Sequence, residues 1–236
     1  MKKEKAIVVF SGGQDSTTCL YWALNRYKVV EAITFQYGQK HEIEITQAKK
    51  ILDNLNIKQI IVPLNQSLGF LAESALTSNG DVSKINKYGL PSSFVPGRNG
   101  IFLYNAFIYA LKVEADAIIT GVCQTDYSGY ADCRQEFIDR LSKAMIYGVF
   151  GDQVANYPII ETPLMELTKA QTFKMAVDEN CLEEVLELSH TCYNGQRTYR
   201  HEWGWSAEQD TEADPPCPAC QLRKKGYEEA KALNYI

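Results

Sequence analysis

No apolar run in this 236-residue chain approaches the roughly 20 residues that a membrane-spanning helix needs. A basic excess is missing too: 24 Lys and Arg face 29 Asp and Glu, a formal charge of −5. Neutralising phosphates calls for a basic surface, so no direct nucleic-acid partner is expected. The charged start, Met1-Lys2-Lys3-Glu4-Lys5, leads straight into a strand-like run without the apolar core of a cleavable leader, and a cytoplasmic protein is expected. An even set of cysteines is also lacking. Of seven, Cys19, Cys123, Cys133 and Cys181 are scattered, whereas Cys192, Cys217 and Cys220 gather towards the C-terminus. That pattern suits reduced thiols and a metal site better than a disulfide framework. There is no internal repeat and no low-complexity linker. What is present, 45% hydrophobic and 22% charged residues, is ordinary for a globular protein of one domain with a small appendage.

Strand-like and amphipathic segments alternate. Apolar β-rich runs at 6–10, 29–35, 58–63, 117–122 and 157–162 are separated by helical patterns at 15–25, 42–55, 100–114, 135–147 and 168–179, with a last helix over 222–233. Asn99 and Thr168 stand where they can cap the helices that follow them. Such alternation predicts an α/β fold, a Rossmann-like parallel sheet of about five strands with helices on both faces. Residues 1–188 would form this domain and 189–236 a C-terminal segment with a helix packed on it. Ligands of such sheets sit beyond the carboxyl ends of the strands, where strand order reverses. The loops after residue 10, at 36–41 and at 121–134 all follow strands and open on that edge. The stretch 64–99 is too long for a plain link and is expected to hold short helical pieces and form a lid or substrate wall.

The sharpest motif is Ser11-Gly12-Gly13-Gln14-Asp15-Ser16, directly after the first strand. Two glycines let the backbone fold tightly, and the N–H groups, two hydroxyls and the helix N-terminus suit a phosphate or pyrophosphate. No Gly-Lys-Ser/Thr follows, so this is not the lysine-bearing Walker loop. A lysine-free pocket suits a pyrophosphate that leaves while the α-phosphorus of ATP is attacked.

That turn resembles the PP-loop ATP pyrophosphatases. Further motifs narrow the resemblance: Phe35-Gln36-Tyr37-Gly38-Gln39-Lys40-His41, Phe94-Val95-Pro96-Gly97-Arg98-Asn99, and Asp126-Tyr127-Ser128-Gly129-Tyr130-Ala131-Asp132-Cys133-Arg134. Thr162-Pro163-Leu164, Leu167-Thr168-Lys169, Thr191-Cys192-Tyr193 and Cys217-Pro218-Ala219-Cys220 follow in order. Together they resemble the QueC family of 7-cyano-7-deazaguanine synthases over nearly the whole chain, with Ala131 where the family has proline. The resemblance implies an ATP-dependent conversion of 7-carboxy-7-deazaguanine and ammonia to the nitrile on the route to queuosine. Its steps would be adenylation of the acid, capture by ammonia as an amide, and a second activation that dehydrates the amide. Mg²⁺ would accompany ATP, and a homodimer is expected. The chain has no room for a glutaminase domain, so ammonia would arrive free or from a partner.

By this resemblance the ATP site covers Phe10, Ser11, Gly12, Gly13, Gln14, Asp15, Ser16, Thr17, Thr18, Cys19 and Leu20. Asp15 either orients the loop N–H groups or helps hold Mg²⁺, or it serves as a first-turn helix cap. Arg98 is a candidate for the substrate carboxylate or the phosphates, since guanidinium binds oxyanions bidentately; the plain alternative is a loop-capping surface arginine. Asp132 and Arg134 would act in catalysis with it, Asp132 accepting the N–H donors of a guanine-like edge. Otherwise the two form an internal salt bridge. Tyr37 and Tyr127 would stack on a flat heterocycle or pack in the core. Gln39, Asn99 and Asp126 complete the substrate set, and His41, beside Glu42 and Glu44, is either a contact or the polar start of a helix.

The resemblance also implies a structural zinc on one isolated cysteine and a Cys-x-x-Cys-x-x-Cys run. Cys192, Cys217 and Cys220 match three of these, but Asp214 stands where the fourth cysteine belongs. Three thiolates leave tetrahedral zinc open. The fourth ligand would be His201, favoured on ligand chemistry, or Asp214 by register, or the metal has been lost. Competing functions are a tRNA-modifying PP-loop enzyme, disfavoured by the acidic charge, a nucleotide-binding module without catalysis, and a divergent ligase that stops at the amide or uses another amine.

Overall fold

The structure is a computed structural model that describes residues 3–39, 43–64, 74–77, 81, 84–86, 89–125, 130–153, 156–208 and 216–236. Five parallel strands form the central sheet: β1 (Lys3–Val9), β2 (Tyr27–Gln36), β3 (Gln59–Pro63), β4 (Ala117–Ile119) and β5 (Ile159–Glu161). Their spatial order is β3-β2-β1-β4-β5, so the order reverses between β1 and β4. Helices α1 (Gln14–Arg26), α2 (Ile43–Asn54), α3 (Arg98–Lys112), α4 (Gln135–Phe150) and α5 (Lys169–Asp178) connect or follow the strands.

Alternation along the strands builds both faces, because successive side chains point to opposite sides. Ala6, Val8 and Ala32 pack with Cys19 and Leu20 of α1 and Ile51 and Leu52 of α2. Ile7, Ile33 and Ile118 turn the other way, onto Leu103 and Phe107 of α3 and Ile138 and Met145 of α4. The predicted sheet with helices on both faces is therefore what forms.

Boundaries differ in instructive places. Asn99 does not cap α3: the N-cap is Gly97, in the left-handed region at φ 75°, and Arg98 opens the helix. Thr168 does cap α5, in a capping box with Gln171. Two further elements, α6 (Leu182–Glu187) and the antiparallel pair β6 (Tyr199–His201) and β7 (Gly204–Ser206), were not foreseen. The last helix, α7 (Pro218–Ala232), starts four residues before the predicted 222. It crosses α5 at Gly226, where a Cβ would lie 2.4 Å from Cγ of Lys169. Within the described part of 64–99 there are turns, one bridge, Ile85 with Pro91, and the first two residues of α3; the rest of the stretch expected to form a lid lies outside the described residues. No helix among the described residues is long and apolar enough to cross a membrane.

Candidate functional site

Beyond the carboxyl ends of β1 and β4, at the reversal of strand order, the chain encloses a cavity of ≈ 310 Å³. One end is the glycine turn. Gly12 sits at φ 79°, and a Cβ there would lie 2.7 Å from the Ala48 nitrogen, so only glycine fits. Ser11 and Ser16 hydroxyls are 3.2 Å apart, Ser16 Oγ donates to the Gly13 carbonyl at 3.1 Å, and the Gly13 N–H donates to Ser11 Oγ at 3.4 Å. The turn is thus braced by its own side chains before any ligand arrives.

Phe10, Ser11, Gly13, Gln14, Asp15 and Ser16 line the cavity. Thr17, Thr18, Cys19 and Leu20, included in the expected ATP site, are instead fully buried behind the turn, with Cys19 and Leu20 in the core under the sheet. Gln14 presents a buried side-chain nitrogen without a hydrogen-bond partner among the described residues.

The expectation of a lysine-free pocket is corrected. Lys169 reaches in from the first turn of α5, its Nζ 2.9 Å from both oxygens of Asp15. Asp15 is therefore an ion-pair partner rather than a helix cap; α1 has no side-chain cap. The signal lay in Leu167-Thr168-Lys169, but nothing local ties residue 169 to residue 15. Gly121, after β4, admits Asp15 closely, since a Cβ would come within 3.1 Å of its backbone.

The opposite end draws on four elements. Tyr37, Gln39, Glu44, Arg98, Phe102 and Tyr193 line it. Tyr37 is buried against Phe102, ring centroids 5.5 Å apart, and the Arg98 guanidinium lies 6.0 Å from the Tyr37 ring. Gln39 closes its own loop, accepting from the Tyr37 N–H at 2.9 Å and donating to the Phe35 carbonyl at 3.3 Å. Glu44, on the first turn of α2, was read from sequence only as part of a polar helix start. Burial pushes its carboxyl up to about 7, with Arg98 opposing the rise.

Asp132 and Arg134 are placed differently from expectation. Asp132 is buried and accepts from the Asn99 N–H at 3.4 Å, and burial raises its carboxyl while Arg98 lowers it. It anchors the start of α3 and is not on the cavity wall. Arg134 is exposed, off the wall, and among the described residues no ion pair joins it to Asp132. Asn99 does line the cavity, its amide donating to Cys133 Sγ at 3.2 Å. Asp126, Tyr127 and His41 lie outside the described residues.

Behind the glycine turn, the C-terminal segment closes in. The His190 N–H donates to the Gly12 carbonyl at 2.9 Å, and burial holds its imidazole down at about 4. Arg223 of α7 is fully buried, donating to Trp203 O (2.7 Å), Ser189 Oγ (3.0 Å), Thr191 Oγ1 (2.9 Å) and Val185 O (2.7 Å). Gly204 makes room for it, since a Cβ would lie 2.4 Å from the guanidinium. Neither residue stood out in the sequence.

Cys192, Cys217 and Cys220 converge, all buried, with sulfurs within 4.8 Å of one another. Cys217 is the thiol best disposed to ionise, facing both other sulfurs and the Tyr193 N–H at 3.3 Å. Three soft donors so arranged fit a zinc-like ion. His201 is not among them: its ring stacks on Trp203 at 4.6 Å and its Nε2 faces the Ala207 carbonyl at 2.8 Å. Asp214 lies outside the described residues.

A phosphate-type glycine turn, Arg98 and Asn99 of the Val-Pro-Gly-Arg-Asn run, and Cys192 of the cysteine triad line one pocket, and residues 5–231 match the family model described as queuosine biosynthesis protein QueC. The chain belongs to the QueC family. Curated 7-cyano-7-deazaguanine synthases are similar along their whole length. That of Wolinella succinogenes is 45% identical over 236 residues, 98% of this chain and 96% of the relative. Those of Lysinibacillus sphaericus and Bacillus subtilis are 46% and 45% identical over 230 residues, each covering 97% of this chain and 96% of the relative. Within this QueC chain, then, the cysteine triad and the glycine turn are neighbours in space: Cys192 stands two residues from His190, which holds Gly12.

Proposed function

We propose that this QueC chain converts 7-carboxy-7-deazaguanine and ammonia to 7-cyano-7-deazaguanine at the expense of ATP. The observation that supports it is the single cavity with a pyrophosphate-type turn at one end and the Arg98 guanidinium, without an ion pair among the described residues, at the other. A carboxylate held by Arg98 would face the α-phosphorus of ATP bound on Ser11, Gly12, Gly13, Gln14 and Ser16. Oxide is a poor leaving group; AMP is a good one, which is what adenylation supplies to ammonia. The amide so formed repeats the activation and loses AMP to give the nitrile. Asp15, with both oxygens on Lys169, orients the turn, and Mg²⁺ travels with ATP. Asp132 acts through Asn99 as a positioning residue.

Cys192, Cys217 and Cys220 would hold a structural Zn²⁺ that pins α7 to the domain. The fourth ligand falls to Asp214 by register, His201 being engaged elsewhere. Metal content of His201→Ala and Asp214→Ala separates the two. The chain is proposed to work in the cytoplasm as a homodimer. The decisive experiment supplies the acid, ATP and ammonium and follows AMP and nitrile by mass spectrometry; no ATP consumption would overturn the proposal, and accumulation of amide as the end product would replace it with the divergent ligase.

A further inference from the structure

We infer that Glu44 is the carboxylate that reads the amino-pyrimidinone edge of the substrate, accepting its ring N–H and exocyclic amine side by side. This deepens the substrate reading above and rests on it. A deazaguanine acid carries two opposed features: a carboxylate on the five-membered ring, and a pair of N–H donors on the six-membered ring. A pocket for it needs a cation for the first and a carboxylate for the second.

The cavity wall contains two acids among the described residues, Asp15 and Glu44. Asp15 has both oxygens on Lys169. Asp132, the sequence candidate for this role, is spent on the Asn99 N–H away from the wall. Glu44 has no hydrogen bond or ion pair among the described residues, so its oxygens are available to the cavity. Arg98, on the same end, supplies the cation, and the rings of Tyr37, Phe102 and Tyr193 supply flat walls. The groups that face Glu44 electrostatically are Arg98, Tyr37 and Tyr193. Burial keeps the carboxyl of the empty pocket near 7, and two N–H donors favour its ionised form, so binding strengthens as pH rises through that value.

The test measures binding of 7-carboxy-7-deazaguanine and of its analogue lacking the 2-amino group, by calorimetry, to wild type, Glu44→Gln and Glu44→Asp, with a non-hydrolysable ATP analogue as a control on folding. Wild type is expected to prefer the amino compound by about 10–150-fold, the worth of a hydrogen bond to a charged group. In Glu44→Gln the preference should fall below about 5-fold and the pH dependence near 7 should vanish, while ATP-analogue binding persists. Should Glu44→Gln not bind the ATP analogue, Glu44→Asp provides the comparison. An unchanged preference in a variant that still binds the ATP analogue overturns the inference. So does an unchanged preference with slowed amide formation, which would make Glu44 a proton acceptor. Wild type that binds the ATP analogue but not the acid overturns the substrate reading itself.

Discussion

The two ends of the cavity are finished to different degrees. At the glycine-turn end the protein answers most of its own groups, Gln14 Nε2 and His190 Nδ1 excepted: Ser11 braces Ser16, Lys169 pairs with Asp15, His190 holds Gly12, and Arg223 spends its donors on four acceptors. At the other end Glu44 and Arg98 face the cavity without an ion pair among the described residues. Dipoles fixed in advance need no reorganisation when charge moves in the transition state. Charges left unanswered are costly until a ligand of complementary pattern arrives, and that cost is selectivity. On the proposed function, one end serves a common cofactor and the other one particular acid.

Mutations can break this contrast. Gly12→Ala should do most damage, because it combines a disfavoured left-handed conformation with a clash on α2; a loss of roughly 2–5 kcal/mol in stability is expected, read by denaturant melts, with AMP release abolished. Normal turnover there would mean the turn is not braced as described. Cys217→Ser should empty the metal site in elemental analysis and lower Tm by about 10 °C. Lys169→Met, which strips Asp15 of its partner, should lower kcat/KM for ATP by about 100-fold in a pyrophosphate-release assay. Arg98→Met sharpens the contrast: KM for the acid should rise by about 10–150-fold while KM for ATP stays put. Arg134→Ala, at the surface, should change either constant by less than about twofold.

The sequence carried what is local. Strand–helix alternation, the glycine turn and the Thr168 cap all depend on residues within a few positions of each other, and all were legible. Lys169 and Asp15 lie 154 positions apart and meet only because α5 and α6 fold back on α1. Glu44 was hidden for a different reason: an acid in the first turn of a helix is a common dipole partner, and only the cavity distinguishes it. The β6–β7 pair escaped because its three-residue strands are fixed by packing around Trp203 and Arg223 rather than by an alternating pattern. Asn99 misled because capping chemistry favours asparagine, yet here a left-handed glycine turns the chain and places Asn99 inside the helix, at the cavity wall and bonded to Asp132 and Cys133.

The hydrogen bond from His190 to Gly12 also sets a timetable. The ribosome delivers Gly12 well before His190, and that turn can fold with β1 and α1 while synthesis continues. Its clasp emerges about 180 residues later, and the acceptors of Arg223 that steady the clasp gain their guanidinium only with the final helix. A nascent chain therefore carries an unclasped glycine turn until His190 has emerged, and the clasp is steadied only when α7 has docked.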